Sequence, residues 1–125
     1  MESDFVFSEW PALAARMLAA CPFLERYRTD DWANGSTIAF GDVARLLRSK
    51  ALPEIEVAQV FQFFNELAAN GEPDAVDALA TGALETFNDD AESQRLARRF
   101  LHGRALELLE QMRRSFGQPD YGAGR

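Results

Sequence analysis

The chain has 125 residues, 47% of them apolar and 26% charged, which fits one ordinary globular domain and excludes a disordered chain. A formal charge of −7 argues against phosphate backbones and anionic lipid surfaces as partners and favours basic ones. Cys21 is the only cysteine and His102 the only histidine. An internal disulfide is therefore excluded, a zinc site would need mostly carboxylates, and a Ser-His or Cys-His mechanism has one available base.

Apolar residues recur at helical spacing along nearly the whole chain. The first predicted helix runs from an N-cap at Ser8 to Cys21, with Trp10, Leu13, Met17 and Leu18 facing inward. Leu18-Ala19-Ala20-Cys21 has the small residues that precede a lipidated cysteine. The segment before it has acids (Glu2, Asp4, Glu9) where a secretory leader is basic, and Arg16 and Pro11 interrupt its apolar run. With no stretch long enough to span a bilayer, the expected compartment is the cytoplasm. Pro22 breaks the first helix, a short one follows over Phe23 to Tyr27, and Thr29 to Gly35 reads as a loop.

Ile38, Phe40, Val43, Leu46 and Leu47 predict a second long helix ending near Lys50. Leu52-Pro53-Glu54 restarts the chain as a helix over about 53–70, with Pro53 in the first turn and Val57, Val60, Phe61, Phe64 and Leu67 inward. Asn70-Gly71 stops it. Pro73 opens the next, which carries Val76, Leu79, Ala80, Ala83, Leu84 and Phe87. Asp89-Asp90-Ala91-Glu92 has the form of a capping box. Beyond it, Leu96, Phe100, Leu101, Ala105, Leu108 and Met112 keep the helical repeat, with Gly103 either interrupting it or not. The resulting expectation is all-α: a compact irregular bundle, or a short curved stack, of five to seven antiparallel helices. Residues 1–116 form the single domain and 117–125, rich in glycine, a flexible C-terminal tail.

No catalytic, cofactor or metal site is expected. The acids Asp89, Asp90 and Glu92 lack the alternating ligands and central glycine of a calcium loop and read as a helix N-terminus. There is no Glu-x-x-His pair for a di-iron bundle and no glycine-rich phosphate loop, since Gly71 and Gly82 stand alone. His102, beside Arg99 and Arg104, reads as a surface or interhelix histidine, and Cys21 as a buried small hydrophobe.

Charge is unevenly distributed. Residues 1–50 carry six basic and seven acidic side chains, 51–94 carry ten acidic and no basic ones, and 95–114 carry six arginines against two glutamates. On the helix over 53–70, a helical wheel groups Glu56, Gln59, Phe63, Glu66 and Asn70 on one face; on the next, Asp74, Asp77, Thr81 and Glu85. Phe63 among acids and amides is either packed under a neighbouring helix or an aromatic anchor rimmed by charge, as at interface hot spots. The acids are either muted by the nearby Arg95, Arg98, Arg99 and Arg104 or left as a negative field that steers a basic partner. The candidate partner-binding residues are Glu56, Gln59, Phe63, Glu66, Asp74, Asp77 and Glu85.

The runs Phe40-Gly41-Asp42-Val43-Ala44-Arg45-Leu46-Leu47, Val60-Phe61-Gln62-Phe63-Phe64-Asn65-Glu66-Leu67, Asn70-Gly71-Glu72-Pro73-Asp74-Ala75-Val76 and Thr81-Gly82-Ala83-Leu84-Glu85-Thr86-Phe87 resemble small helical bacterial proteins encoded beside polymorphic or contact-dependent toxins. The resemblance covers roughly residues 38–112 and supplies no catalytic residues. It implies an immunity (antitoxin-like) protein that binds a cognate toxin domain in the cytoplasm and occludes its basic active-site cleft, without chemistry of its own. The alternative is a non-catalytic helical adaptor or a self-associating scaffold, with a homodimer as its simplest assembly.

Overall fold

In the computed structural model, residues 13–122 are described. The first helix, α1, covers 13–20 and turns Leu13, Ala14 and Met17 into the core. The expected start at Ser8 and the inward Trp10 lie outside the described residues. Pro22 cannot donate to the α ladder, and the chain tightens there into a 3₁₀ turn, Pro22–Tyr27, pinned by the buried Leu24. The stretch expected as a loop holds a second 3₁₀ turn, Asp30–Asn34. Its cause is Trp32, only 2% exposed, whose indole N–H donates to Asp42 Oδ2 at 2.9 Å.

Helix α2 (Ser36–Arg48) buries Phe40, Val43, Ala44 and Leu47. Ile38, expected inward, lies on the opposite side of the helix and is exposed. Helix α3 (Glu54–Asn70) starts one residue after Pro53, which serves as its N-cap. Its buried arc is Val57, Val60, Phe61, Phe63, Phe64 and Leu67. Gly71 ends it with an ordinary φ of −76°. Glycine is required there because a Cβ would sit 2.6 Å from the Leu67 carbonyl oxygen.

Helix α4 runs without a break from Pro73 to Phe87 and contains a π turn, Ala80–Leu84. The π turn packs against α2 and against the last helix. A Cβ on Gly82 would fall 2.7 Å from the Thr37 carbonyl oxygen and 2.9 Å from Phe40 Cβ, so glycine permits this approach to α2. From just beyond the turn, the Thr86 hydroxyl donates back to the Gly82 carbonyl within it at 2.8 Å.

Helix α5 (Ala91–Phe100) is capped by Asp90, whose carboxylate accepts from the Ser93 N–H at 2.8 Å. The capping register is one residue later than the expected Asp89-to-Glu92 box, and Ser93 replaces the glutamate at the reciprocal position. Leu101 and His102 interrupt the chain before α6 (Gly103–Ser115), and Gly103 adopts φ +58°, which settles the last element as two helices. Asn65 of α3 serves the interruption from both sides: its Nδ2 donates to the Phe100 carbonyl (3.2 Å) and its Oδ1 accepts from the His102 N–H (3.0 Å).

Among the described residues there are helices and turns and no strand, a compact all-α bundle around one core. Its centre is aromatic: Phe61 stacks on Phe87 and Phe100 at 5.3 and 5.1 Å, and Phe64 meets Phe40 edge-on at 5.8 Å. The tail expected to leave the domain at Gly117 packs back over it through residue 122. The reason is a buried amide pair: Gln94 Nε2 donates to Asn88 Oδ1 (2.9 Å) and to the Pro119 carbonyl (3.0 Å), and its Oε1 accepts from the Tyr121 N–H (2.8 Å). Asn88 Nδ2 donates in turn to the Leu109 carbonyl of α6 at 3.1 Å. Residues 123–125 lie outside the described residues.

Candidate functional site

The seven residues singled out from the sequence divide by helix. On α4, Asp74 and Asp77 are exposed with Thr81 in line. Glu85 is half-buried, since the extra residue that a π turn accommodates carries it off that line. On α3 the expected face is misplaced. Gln59 and Glu66 are exposed and Glu56 is half-buried, but Phe63 is only 9% exposed and lies edge-on to Phe40 at 6.5 Å. Phe63 is therefore a core residue and not an exposed anchor. The outward stripe is Ile55, Gln59, Gln62, Glu66 and Ala69, turned from the expected face by about 60° at 3.6 residues per turn. Gln59 is occupied in part, its Nε2 donating to the Ala20 carbonyl at 3.4 Å.

Ion pairing decides how much of the negative charge is compensated. Four of the ten acids in 51–94 reach a cation: Glu54 with Arg99 (2.6 Å), Glu72 with Arg16 (3.8 Å), Asp90 with Arg48 (3.6 Å) and Glu92 with Lys50 (3.4 Å). Glu56, Glu66, Asp74, Asp77, Glu85 and Asp89 have no cationic partner among the described residues. Three of the six arginines of α5 and α6 pair outside that segment. Arg98 pairs with Glu110 (2.9 Å) and Asp120 (2.8 Å), Arg113 with Glu110 (3.0 Å), and Arg104 with Glu107 (3.5 Å). Only Arg99 crosses to the acidic segment. The muting considered from sequence thus operates at one acid, Glu54.

The Arg98 cluster is tightly coupled. Its hydrogen bond holds the Glu110 carboxyl below the ordinary range, with a second bond from Arg113 acting in the same direction. Asp120 is lowered by Arg98 and by the Gly122 N–H, and Arg98 is raised by Glu110. Asp90 is lowered by the Ser93 N–H it caps.

The groups weighed for chemistry are dispersed. Cys21 is buried, and burial pushes its thiol up to about 11, far from a reactive thiolate. His102 is exposed at the start of α6. Among the described residues, no three His, Cys, Asp or Glu side chains gather as metal ligands do, and no helix is long and apolar enough to cross a membrane.

One concavity adjoins the acidic surface. A groove of about 390 Å³ runs between the outer stripe of α3 and the α5–α6 link, with Glu66 on one wall and Phe100 and His102 on the other. The groove is not legible in the sequence, because it depends on the break at Leu101 and on the rotation of α3. The available signal was Asn65, a polar residue at an apolar position between Phe64 and Leu67. Comparison of the chain with family models, with curated proteins and with solved structures gives no match.

Proposed function

We propose that the chain is an immunity-type protein that binds a basic toxin domain and neutralises it by covering its active-site cleft. The observation that carries this reading is the set of six acids on and around α3 and α4 without cationic partners among the described residues, while of the neighbouring arginines Arg98, Arg104 and Arg113 pair with Glu107, Glu110 and Asp120 and Arg99 reaches only Glu54. Like charges held together in a folded domain cost stability, and their usual return is faster encounter with a partner of opposite sign. Inhibition is steric and electrostatic: Asp74 and Asp77 face outward as a substrate phosphate backbone would, and no step of chemistry falls to this chain.

If the neighbouring gene encodes a basic toxin domain, its co-expression with this chain should restore growth and yield a co-purifying complex whose association weakens with salt. Asp77→Lys should slow association more than a charge change at a distant site such as Arg26→Glu. A second reading, an adaptor or self-associating scaffold, draws on Ile55, 77% exposed on the α3 stripe. Such an interface would be apolar and insensitive to salt, and Ile55→Ser would then weaken assembly where Asp77→Lys does not.

A further inference from the structure

The groove between α3 and the α5–α6 link has a composition that selects among side chains. Its lining contains one carboxylate, Glu66, and no lysine or arginine. Glu66 is exposed, and its one side-chain hydrogen bond among the described residues is from Gln62 Nε2 at a long 3.3 Å. Resting on the reading of a basic protein partner, we propose that this groove receives the side chain of an arginine that the partner presents, with Glu66 as its counter-ion.

Three features of the groove fit that occupant. Ala58 and Ala69 contribute only methyl groups on the α3 side, and Phe100 closes the other, so an aliphatic stem can lie between them. Gln62 and Asn70, whose amides each carry an acceptor oxygen, lie one turn to either side of Glu66 along the same helix face. A guanidinium spreads five donors in a plane and can use these acceptors together, whereas an ammonium is a point charge. The floor is preorganised: both ends of the Asn65 amide are fixed to the backbone of Phe100 and His102, at 3.2 and 3.0 Å. Ordering that floor costs nothing at binding.

The cation stacked on Phe100, Arg99, does not pair with Glu66. Arg99 is paired to Glu54 at 2.6 Å, at the opening turn of α3, with its guanidinium 4.8 Å from the Phe100 ring centroid. Glu66 lies three turns further along the helix, at the uncompensated end.

The test is an NMR titration of the full ¹⁵N-labelled chain with hexa-arginine, hexa-lysine and hexa-citrulline peptides at low salt. Hexa-arginine should move the side-chain amides of Gln62 and Asn70 and the backbone amide of His102, and bind more tightly than hexa-lysine. Hexa-citrulline, the same shape without charge, should leave them in place. Glu66→Gln should weaken hexa-arginine binding about two- to fivefold, the size of one exposed ion pair. Ala69→Phe, at an exposed helix position, should do the same by filling the trough. If hexa-arginine shifts only the surroundings of Asp74 and Asp77 and both variants bind as the parent does, the groove assignment is overturned while the acidic-surface reading stands. Equal affinity for hexa-lysine overturns the arginine preference. If neither cationic peptide binds, the acidic-surface reading falls and the groove with it.

Discussion

In the last part of the chain, Arg98 sits between Glu110 and Asp120, Arg113 shares Glu110, and Gln94 ties α5 to the segment that follows α6. On α3 and α4, by contrast, Glu66, Asp74 and Asp77 face solvent with no cation beside them among the described residues. Both regions are strongly charged, yet one spends its charge on holding itself together and the other presents it outward. Sequence proximity of opposite charges is thus a poor guide to neutralisation. Of the arginines in 95–114, only Arg99 reaches an acid of 51–94, because the closing segment brings Asp120 to Arg98 and α6 brings Glu110.

If that division is right, substitutions in the first region change stability and those in the second change association. The largest stability effect is expected for Gln94→Leu. It strands Asn88 Oδ1, the Pro119 carbonyl and the Tyr121 N–H, and should cost about 3 kcal/mol in urea unfolding, since buried unpaired polar groups cost roughly 1–3 kcal/mol each. A loss under about 1 kcal/mol would mean that the closing segment is not part of the folded unit. Next comes Arg98→Met, expected to cost about 2 kcal/mol through the paired charged hydrogen bonds to the partly buried Glu110.

The same cluster sets a pH dependence. Glu110 and Asp120 have native values below their ordinary 4.5 and 3.8, so the unfolded chain takes up protons first. Their contribution is complete above those ordinary values and is lost as pH falls through them and on through the lowered native values. Asp90 adds to the loss in the same direction. Thermal melts between pH 7 and pH 3 should therefore show stability falling on acidification, and Arg98→Met should flatten that fall. The smallest stability effect is expected for Asp74→Asn with Asp77→Asn: within about 0.5 kcal/mol of the parent, as for surface changes away from any packed feature. A marked destabilisation there would show that these acids serve the fold.

Much of the fold was legible because its signals are local. Pro22, Pro53, Gly71 and Pro73 mark boundaries to within a residue, since a missing N–H or Cβ acts on the neighbouring backbone. Asp74 and Asp77 were placed outward from spacing alone. The rotation of α3 was harder, because Phe63 extends its apolar arc and a wheel alone leaves the centre of that arc undecided. The Asp30–Asn34 turn, the break at Leu101 and the docked segment after Gly117 were hidden for a common reason. Each is fixed by one distant partner, Asp42, Asn65 and Gln94 respectively, and such pairings leave no periodic trace. The groove inherits that illegibility, since two of those uncertainties meet in it.

The claim that the charge on α3 and α4 is uncompensated and directed outward is tested most directly by association kinetics against ionic strength. The basic toxin domain proposed as partner would be mixed with the parent protein and with a Glu66→Gln, Asp74→Asn, Asp77→Asn triple variant. The expected result is a steep fall in the parent's association rate with rising salt and a clearly shallower one in the variant, with similar dissociation rates. Superimposable salt dependences for the two proteins would contradict it.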